Sequence, residues 1–200
     1  MLVDSIKPFS SKLGGQTGLT FYEKKIEQRL SDIAEYFSDK EFVEQMLSRG
    51  DDPVIYEVYE VPQQPTEGVL NIGCTIIYPG KIGVEYYFTK GHFHEKKSSS
   101  EVYTGMEGEG LILMQDQRGK TMHLEIKPDV LVYIPPGLAH RSINVGTSKL
   151  VFLAIYPSDA GHDYEAIMTR GFAKLVIERD GKPILIDNPR YKQKSIIRDS

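Results

Sequence analysis

The chain has 200 residues, 40% of them hydrophobic and 26% charged, with a formal net charge of −4. That is the balance of one globular soluble domain with a real core, and it excludes a basic field for nucleic acid and any apolar run long enough to span a bilayer. The start, Met-Leu-Val-Asp-Ser-Ile-Lys, lacks the pattern of a secretory signal, and the single cysteine, Cys74, can make no internal disulfide, so a cytoplasmic protein is expected.

Residues 1 to about 20 are polar and predict an extended arm. Between Glu23 and Arg49, the apolar residues Ile26, Leu30, Ile33, Phe37, Phe42 and Met46 recur at helical spacing. They predict one or two amphipathic helices, with a break at Ser38-Asp39-Lys40-Glu41 and a fresh N-cap at Ser38 or Asp39. From Val54 the pattern changes to short runs rich in β-branched and aromatic residues. Strands are predicted at 54–61, 74–78, 84–89, 102–104, 110–115, 122–126, 130–134 and 150–156. A last pair, 172–178 and 183–186, is joined by Asp180-Gly181, a hairpin signal. So many evenly spaced strands predict a mainly β fold, a barrel or jelly roll. The division is an arm and helical extension over 1–50, a barrel over 51–190 and a polar tail over 191–200.

The chemistry concentrates in Gly91-His92-Phe93-His94, in Glu101, and in Pro135-Pro136-Gly137-Leu138-Ala139-His140. A strand through His92 and His94 would put both imidazoles on one face, with Phe93 on the other. Glu101 can open the next strand, and His140 follows a turn that could deliver it from elsewhere. Three imidazoles and a carboxylate suit one iron, manganese, zinc or nickel ion. His123 is different: it alternates with Met122, Leu124 and Ile126 and is expected to face solvent. Cys74, beside Thr75, Ile76 and Ile77, reads as a buried strand thiol. The cluster Gly105-Met106-Glu107-Gly108-Glu109-Gly110 has neither a dinucleotide fingerprint nor a P-loop, and predicts a tight turn between strands.

The segments 92–108 and 129–144 resemble the two cupin motifs. The first reads His92-x-His94, then Glu101 and Gly108, with a longer gap before the glutamate than is usual and Tyr86 where a glycine is normal. The second reads Pro135-x-Gly137-x-x-His140-x-x-x-Asn144, with Asp129 in place of a leading glycine. Together with Glu101-Val102-Tyr103 and Gly161-His162-Asp163-Tyr164, these departures resemble the cupin-type glucose-6-phosphate isomerases of archaea and some bacteria. The resemblance implies a cupin double-stranded β-helix and a divalent metal, Fe(II) foremost, held by His92, His94, Glu101 and His140. It implies that Thr75, Thr89, Gly91 and Tyr156 help hold a sugar phosphate, with Tyr56, Tyr103, His162 and Tyr164 lining the sugar end. Lys90 is a candidate counter-charge on physical grounds. In a regular strand Lys90 shares the face of the two histidines, and Thr89 joins them only through an irregularity near Gly91.

The implied reaction interconverts glucose 6-phosphate and fructose 6-phosphate. It would run by proton transfer through a cis-enediol, with Glu101 as base and Tyr103 or His162 handling oxygen protons, or by a metal-assisted hydride shift. Two rival functions share the site: a cupin iron(II) dioxygenase and a non-catalytic sugar-binding cupin. A homodimer follows by resemblance.

Overall fold

The computed structural model describes residues 7–14 and 18–192. The signal reading at the extreme N-terminus and most of the polar tail therefore lie outside the described residues. Among the described residues thirteen strands run in chain order as β1 (Lys24–Arg29), β2 (Val54–Val61), β3 (Leu70–Ile77), β4 (Lys81–Ile82), β5 (Glu85–Tyr86), β6 (Glu101–Glu107), β7 (Gly110–Gln115), β8 (Thr121–Ile126), β9 (Leu131–Ile134), β10 (Ala139–Asn144), β11 (Leu150–Pro157), β12 (Lys174–Arg179) and β13 (Lys182–Asp187). Helices are few: α1 (Leu30–Ile33), a 3-10 turn (Ala34–Tyr36), α2 (Lys40–Ser48) and α3 (Glu165–Arg170). No helix among the described residues is long and apolar enough to cross a membrane.

The strands form three sheets, ordered β1-β2-β3-β11-β6-β9, β10-β7-β8 and β13-β12-β5-β4. Within the first two, β6 pairs with β9 and β7 with β10, both antiparallel, so from β8 to β11 the chain passes back and forth between the two sheets. One apolar core joins them, with Ile77, Tyr103, Ile112, Met114, Ile143 and Phe152 all buried in it. The same core includes Leu30, Ile33, Phe37 and Val43, so the helical extension packs directly on the barrel. Asp39 caps α2 by accepting the Phe42 N–H at 3.0 Å. On the outer face of the large sheet, Leu19 of the arm covers a smaller cluster with Tyr59, Ile76 and a fully buried Cys74, whose thiol burial pushes up to about 12. The β12–β13 turn has Asp180 and Gly181 at φ 53° and 71°, the left-handed pair that an Asp-Gly hairpin provides.

The structure corrects the sequence reading in several places. Residues 24–29 are strand β1, not helix: their backbone groups pair with β2 in the register Ile26↔Val58 and Gln28↔Tyr56, and that long-range ladder overrides the local period. Strand β10 is not among the predicted strands. Its sequence, Ala-His-Arg-Ser-Ile-Asn, has no apolar alternation because all six residues are buried. In β8, His123 is exposed as expected, but Met122 and Leu124 are exposed too, and only Ile126 turns into the core. Helix α3 had no apolar stripe long enough to register.

Two backbone features explain residues of the two motifs. Asp129 takes the place of a glycine at φ 66°, a conformation in which Asp is among the tolerated residues. A side chain at Gly108, at φ 75°, would sit 2.2 Å from the Lys149 carbonyl oxygen, so the glycine cluster serves close strand crossing.

Candidate metal centre and its cavity

His92 and His94 lie not in a regular strand but in an irregular segment held from both sides. On one side, His92 and His140 exchange backbone hydrogen bonds, His92 N–H to His140 C=O at 3.2 Å and the reverse at 3.1 Å. On the other, Phe93 and Asp163 do the same at 3.2 and 2.8 Å, with the Phe93 ring turned into the core. Gly91 makes the approach feasible. It adopts φ 73°, and a Cβ there would lie 2.8 Å from the Phe172 ring and 2.9 Å from the His140 carbonyl oxygen. This is the irregularity that lets Thr89 and Lys90 both face the cavity. The Phe93–Asp163 ladder also delivers His162, whose ring packs edge-on against His92 at 4.3 Å.

Glu101 opens β6, as expected, opposite Ile134 of β9. One donor atom from each of His92, His94, Glu101 and His140 falls within 4.8 Å of all the others. Glu101 Oε2 lies 2.9 Å from His140 Nε2 and 3.3 Å from His94 Nε2. Those approaches are close, yet none of the four buried donor atoms is satisfied by a well-formed hydrogen bond. Four orphaned buried polar atoms aimed at one point need an external partner. Adjacent ligand atoms about 2.1 Å from one ion lie roughly 3 Å apart, so the spacing fits a divalent metal, as does the imidazole and carboxylate chemistry. His94 is oriented for it: its Nδ1 donates to the Ser99 carbonyl at 3.1 Å, which leaves Nε2 as the lone-pair nitrogen.

Burial alone would raise the Glu101 carboxyl, but His140 and His94 outweigh it and hold the group down at about 2. Burial, and then the neighbouring histidines, push His92 well below its ordinary value. For His94 burial pulls down, and the interaction with Glu101 more than reverses it. Tyr103 is driven well above 10 by burial and by the Glu101 charge, so it stays a neutral hydroxyl donor. His162 is lowered, mainly by burial.

A cavity of about 190 Å³ opens on the cluster. Its floor is one face of the large sheet, where Tyr56 and Thr75 meet Tyr103 and Tyr156. Thr89, Lys90, Gly91, His92 and His140 form the facing wall, with His162 and Tyr164, stacked at 5.7 Å, at one end. Every site residue named from the sequence lines this space except His94, which stands behind the cluster. Thr89 Oγ1 accepts the Ser142 N–H at 3.1 Å. Sequence reading missed Gln28, Glu60 and Ser142, which also line it. Glu60 and Ser142 follow at period two from Tyr56 and His140 and are legible. Gln28 is not, because the local period of its strand is helical. Asn144 of the second motif is structural: its amide donates to the Ile77 and Ser148 carbonyls at 2.9 and 2.8 Å.

Behind the wall lies a buried guanidinium. Arg141 donates from Nη2 to the Lys90 carbonyl at 2.8 Å and is sandwiched between the Phe88 and Phe172 rings at 4.0 and 4.7 Å. Burial lowers it to about 10, so it remains charged at neutral pH.

Alternating antiparallel strands around an inward cluster of three histidines and one glutamate define a cupin barrel with a centre for a divalent metal. A family model for glucose-6-phosphate isomerase (GPI) matches residues 27–193, and the chain belongs to that family. It is 46% identical to the glucose-6-phosphate isomerase of Pyrococcus abyssi over 93% of this chain and 98% of the relative. Identity is also 46% to that of Thermococcus litoralis, over 93% and 97%. A putative glucose-6-phosphate isomerase 1 of Rhizobium meliloti is 35% identical over 84% and 79%.

Proposed function

We propose that this protein is a metal-dependent aldose–ketose isomerase that interconverts D-glucose 6-phosphate and D-fructose 6-phosphate. The observation that carries the reading is the set of four orphaned donor atoms in the wall of a cavity rich in hydroxyl groups, in a chain of this family. His92, His94, Glu101 and His140 would hold the ion, with Fe(II) the first choice and Mn, Ni or Zn alternatives. When bound, it would supply Lewis-acid polarisation of the sugar carbonyl and its adjacent hydroxyl.

The chain's own groups do the rest. Thr75, Thr89, Tyr156 and the Gly91 backbone bind the phosphate end, with Lys90 as counter-charge. Tyr56, Tyr103, His162 and Tyr164 orient the sugar hydroxyls. Tyr103, neutral beside Glu101, donates a hydrogen bond to a sugar oxygen, and His162, uncharged at neutral pH, can exchange a proton with one. Glu101 is the carboxylate of the cluster and would serve as the base in proton transfer through a cis-enediol, whereas a hydride shift between C1 and C2 would need no base.

The test is anaerobic conversion of fructose 6-phosphate before and after chelation, with each metal restored in turn. Metal-dependent turnover without oxygen is expected, and a well-loaded protein with no turnover would refute the reading. Substrate deuterated at C2 separates the two routes, since a hydride shift keeps the label on the sugar and a solvent-exchanging base loses it. A cytoplasmic homodimer belongs to the same proposal. Exposed Met122, Leu124, Leu131 and Tyr133 on β8 and β9 offer an apolar face for it, and molar mass in solution by light scattering checks it.

A further inference from the structure

A second cavity, of about 220 Å³, lies between the 3-10 turn, α3 and the segment after β13. Arg141, Arg170, Arg190 and Lys192 line it, and the one carboxylate among its described lining residues is Glu35. Glu35 is already paired with Lys40 at 3.0 Å and is 79% exposed, so it offsets only part of this charge.

Arg141 is 5% exposed, yet no carboxylate forms an ion pair with it among the described residues. Its partners are the Lys90 carbonyl and two aromatic faces. Glu85 acts on it only through space, and that carboxylate is already engaged by the Ser38 N–H and O–H at 2.8 and 2.7 Å. A buried cation without a counter-ion is costly unless something anionic completes it.

The rim points the same way. Arg190 Nη1 donates to the Ser38 carbonyl at 3.3 Å, and Arg170 Nη2 to the Gln117 carbonyl and the Tyr191 hydroxyl at 2.9 and 3.1 Å. Each guanidinium carries five N–H groups, so donors remain on both. Arg170 Nε is buried with no partner at all. Guanidinium forks match phosphate bidentately, and four cations against one exposed acid favour a dianion over a single carboxylate.

We propose that this cavity is a second anion site, built for inorganic phosphate or the phosphate of a phosphomonoester, back to back with the metal cavity across Arg141. It is independent of the isomerase reading, because none of its rim cations faces the sugar cavity.

The experiment is a calorimetric titration of the metal-loaded protein with inorganic phosphate, beside phosphate inhibition of fructose 6-phosphate turnover. A phosphate that does not compete with fructose 6-phosphate is expected. The double variant Arg190→Gln/Lys192→Gln should weaken it at least tenfold while leaving kcat and the competitive inhibition constant unchanged. If all phosphate binding competes with fructose 6-phosphate, or if the double variant binds as well as the parent, the proposal fails. Should that variant not fold, Glu35→Gln serves instead. Removing the acid should tighten the non-competing phosphate about threefold, and an unchanged affinity would overturn the site.

Discussion

Two buried carboxylates of the large sheet, on strands separated by β3 and β11, have opposite fates. Glu57 of β2 is closed: it takes Lys25 Nζ at 2.7 Å, the Tyr59 hydroxyl at 3.0 Å and the Tyr78 hydroxyl at 3.1 Å. Glu101 of β6 is as deeply buried, but it and its histidine neighbours end in donor atoms with no well-formed partner. Both carboxyls are held low against the pull of burial, one by a lysine and two phenols, the other by imidazoles. A satisfied network stabilises the fold, while an unsatisfied one of the same burial is a receptor for something from outside.

The largest expected effect is on the open cluster. Glu101→Ala and His140→Ala should each lose metal and turnover together, with metal affinity down at least ~100-fold, read as metal content after dialysis. His140→Ala with full metal occupancy and turnover would disprove the site. Next comes the backbone that presents the cluster. Gly91→Ala puts a Cβ into Phe172 and the His140 carbonyl at a positive φ, and should cost about 1–3 kcal/mol in denaturant unfolding along with weaker metal binding.

Glu57→Gln acts on the closed network alone. Loss of two charge-assisted tyrosine hydrogen bonds should cost about 1–2 kcal/mol with kcat/KM unchanged. Its pH signature has a definite sign. The folded carboxyl titrates below its ordinary 4.5, so its stabilisation is present above that value and lost as pH falls through the lower folded value. The Tm gap between parent and Glu57→Gln should therefore narrow below about pH 4.5, and a gap that widened there would contradict the network. Smallest of all, exposed His123→Ala should shift stability by less than ~0.5 kcal/mol and leave metal content alone.

Much of this was legible in residue order, because short-range rules carry it. Alternation marks most strands, Asp-Gly marks the last hairpin, and the spacing of His92, His94, Glu101 and His140 points to one cluster. The same rules were silent or misleading where a partner distant in sequence decides. Lys24–Arg29 has a helical period and becomes a strand because β2 offers its edge. Ala139–Asn144 looks polar and is wholly buried, because it pairs along its length with β7 inside the barrel. Met122 and Leu124 alternate correctly yet stay outside. The sequence by itself determined which groups can do chemistry and which stretches extend. Only the tertiary structure decided which polar atoms are left without a partner, because hydrogen-bond satisfaction and charge compensation are properties of everything packed around an atom. The unpaired guanidinium of Arg141, one residue past a metal-ligand candidate, is the plainest case.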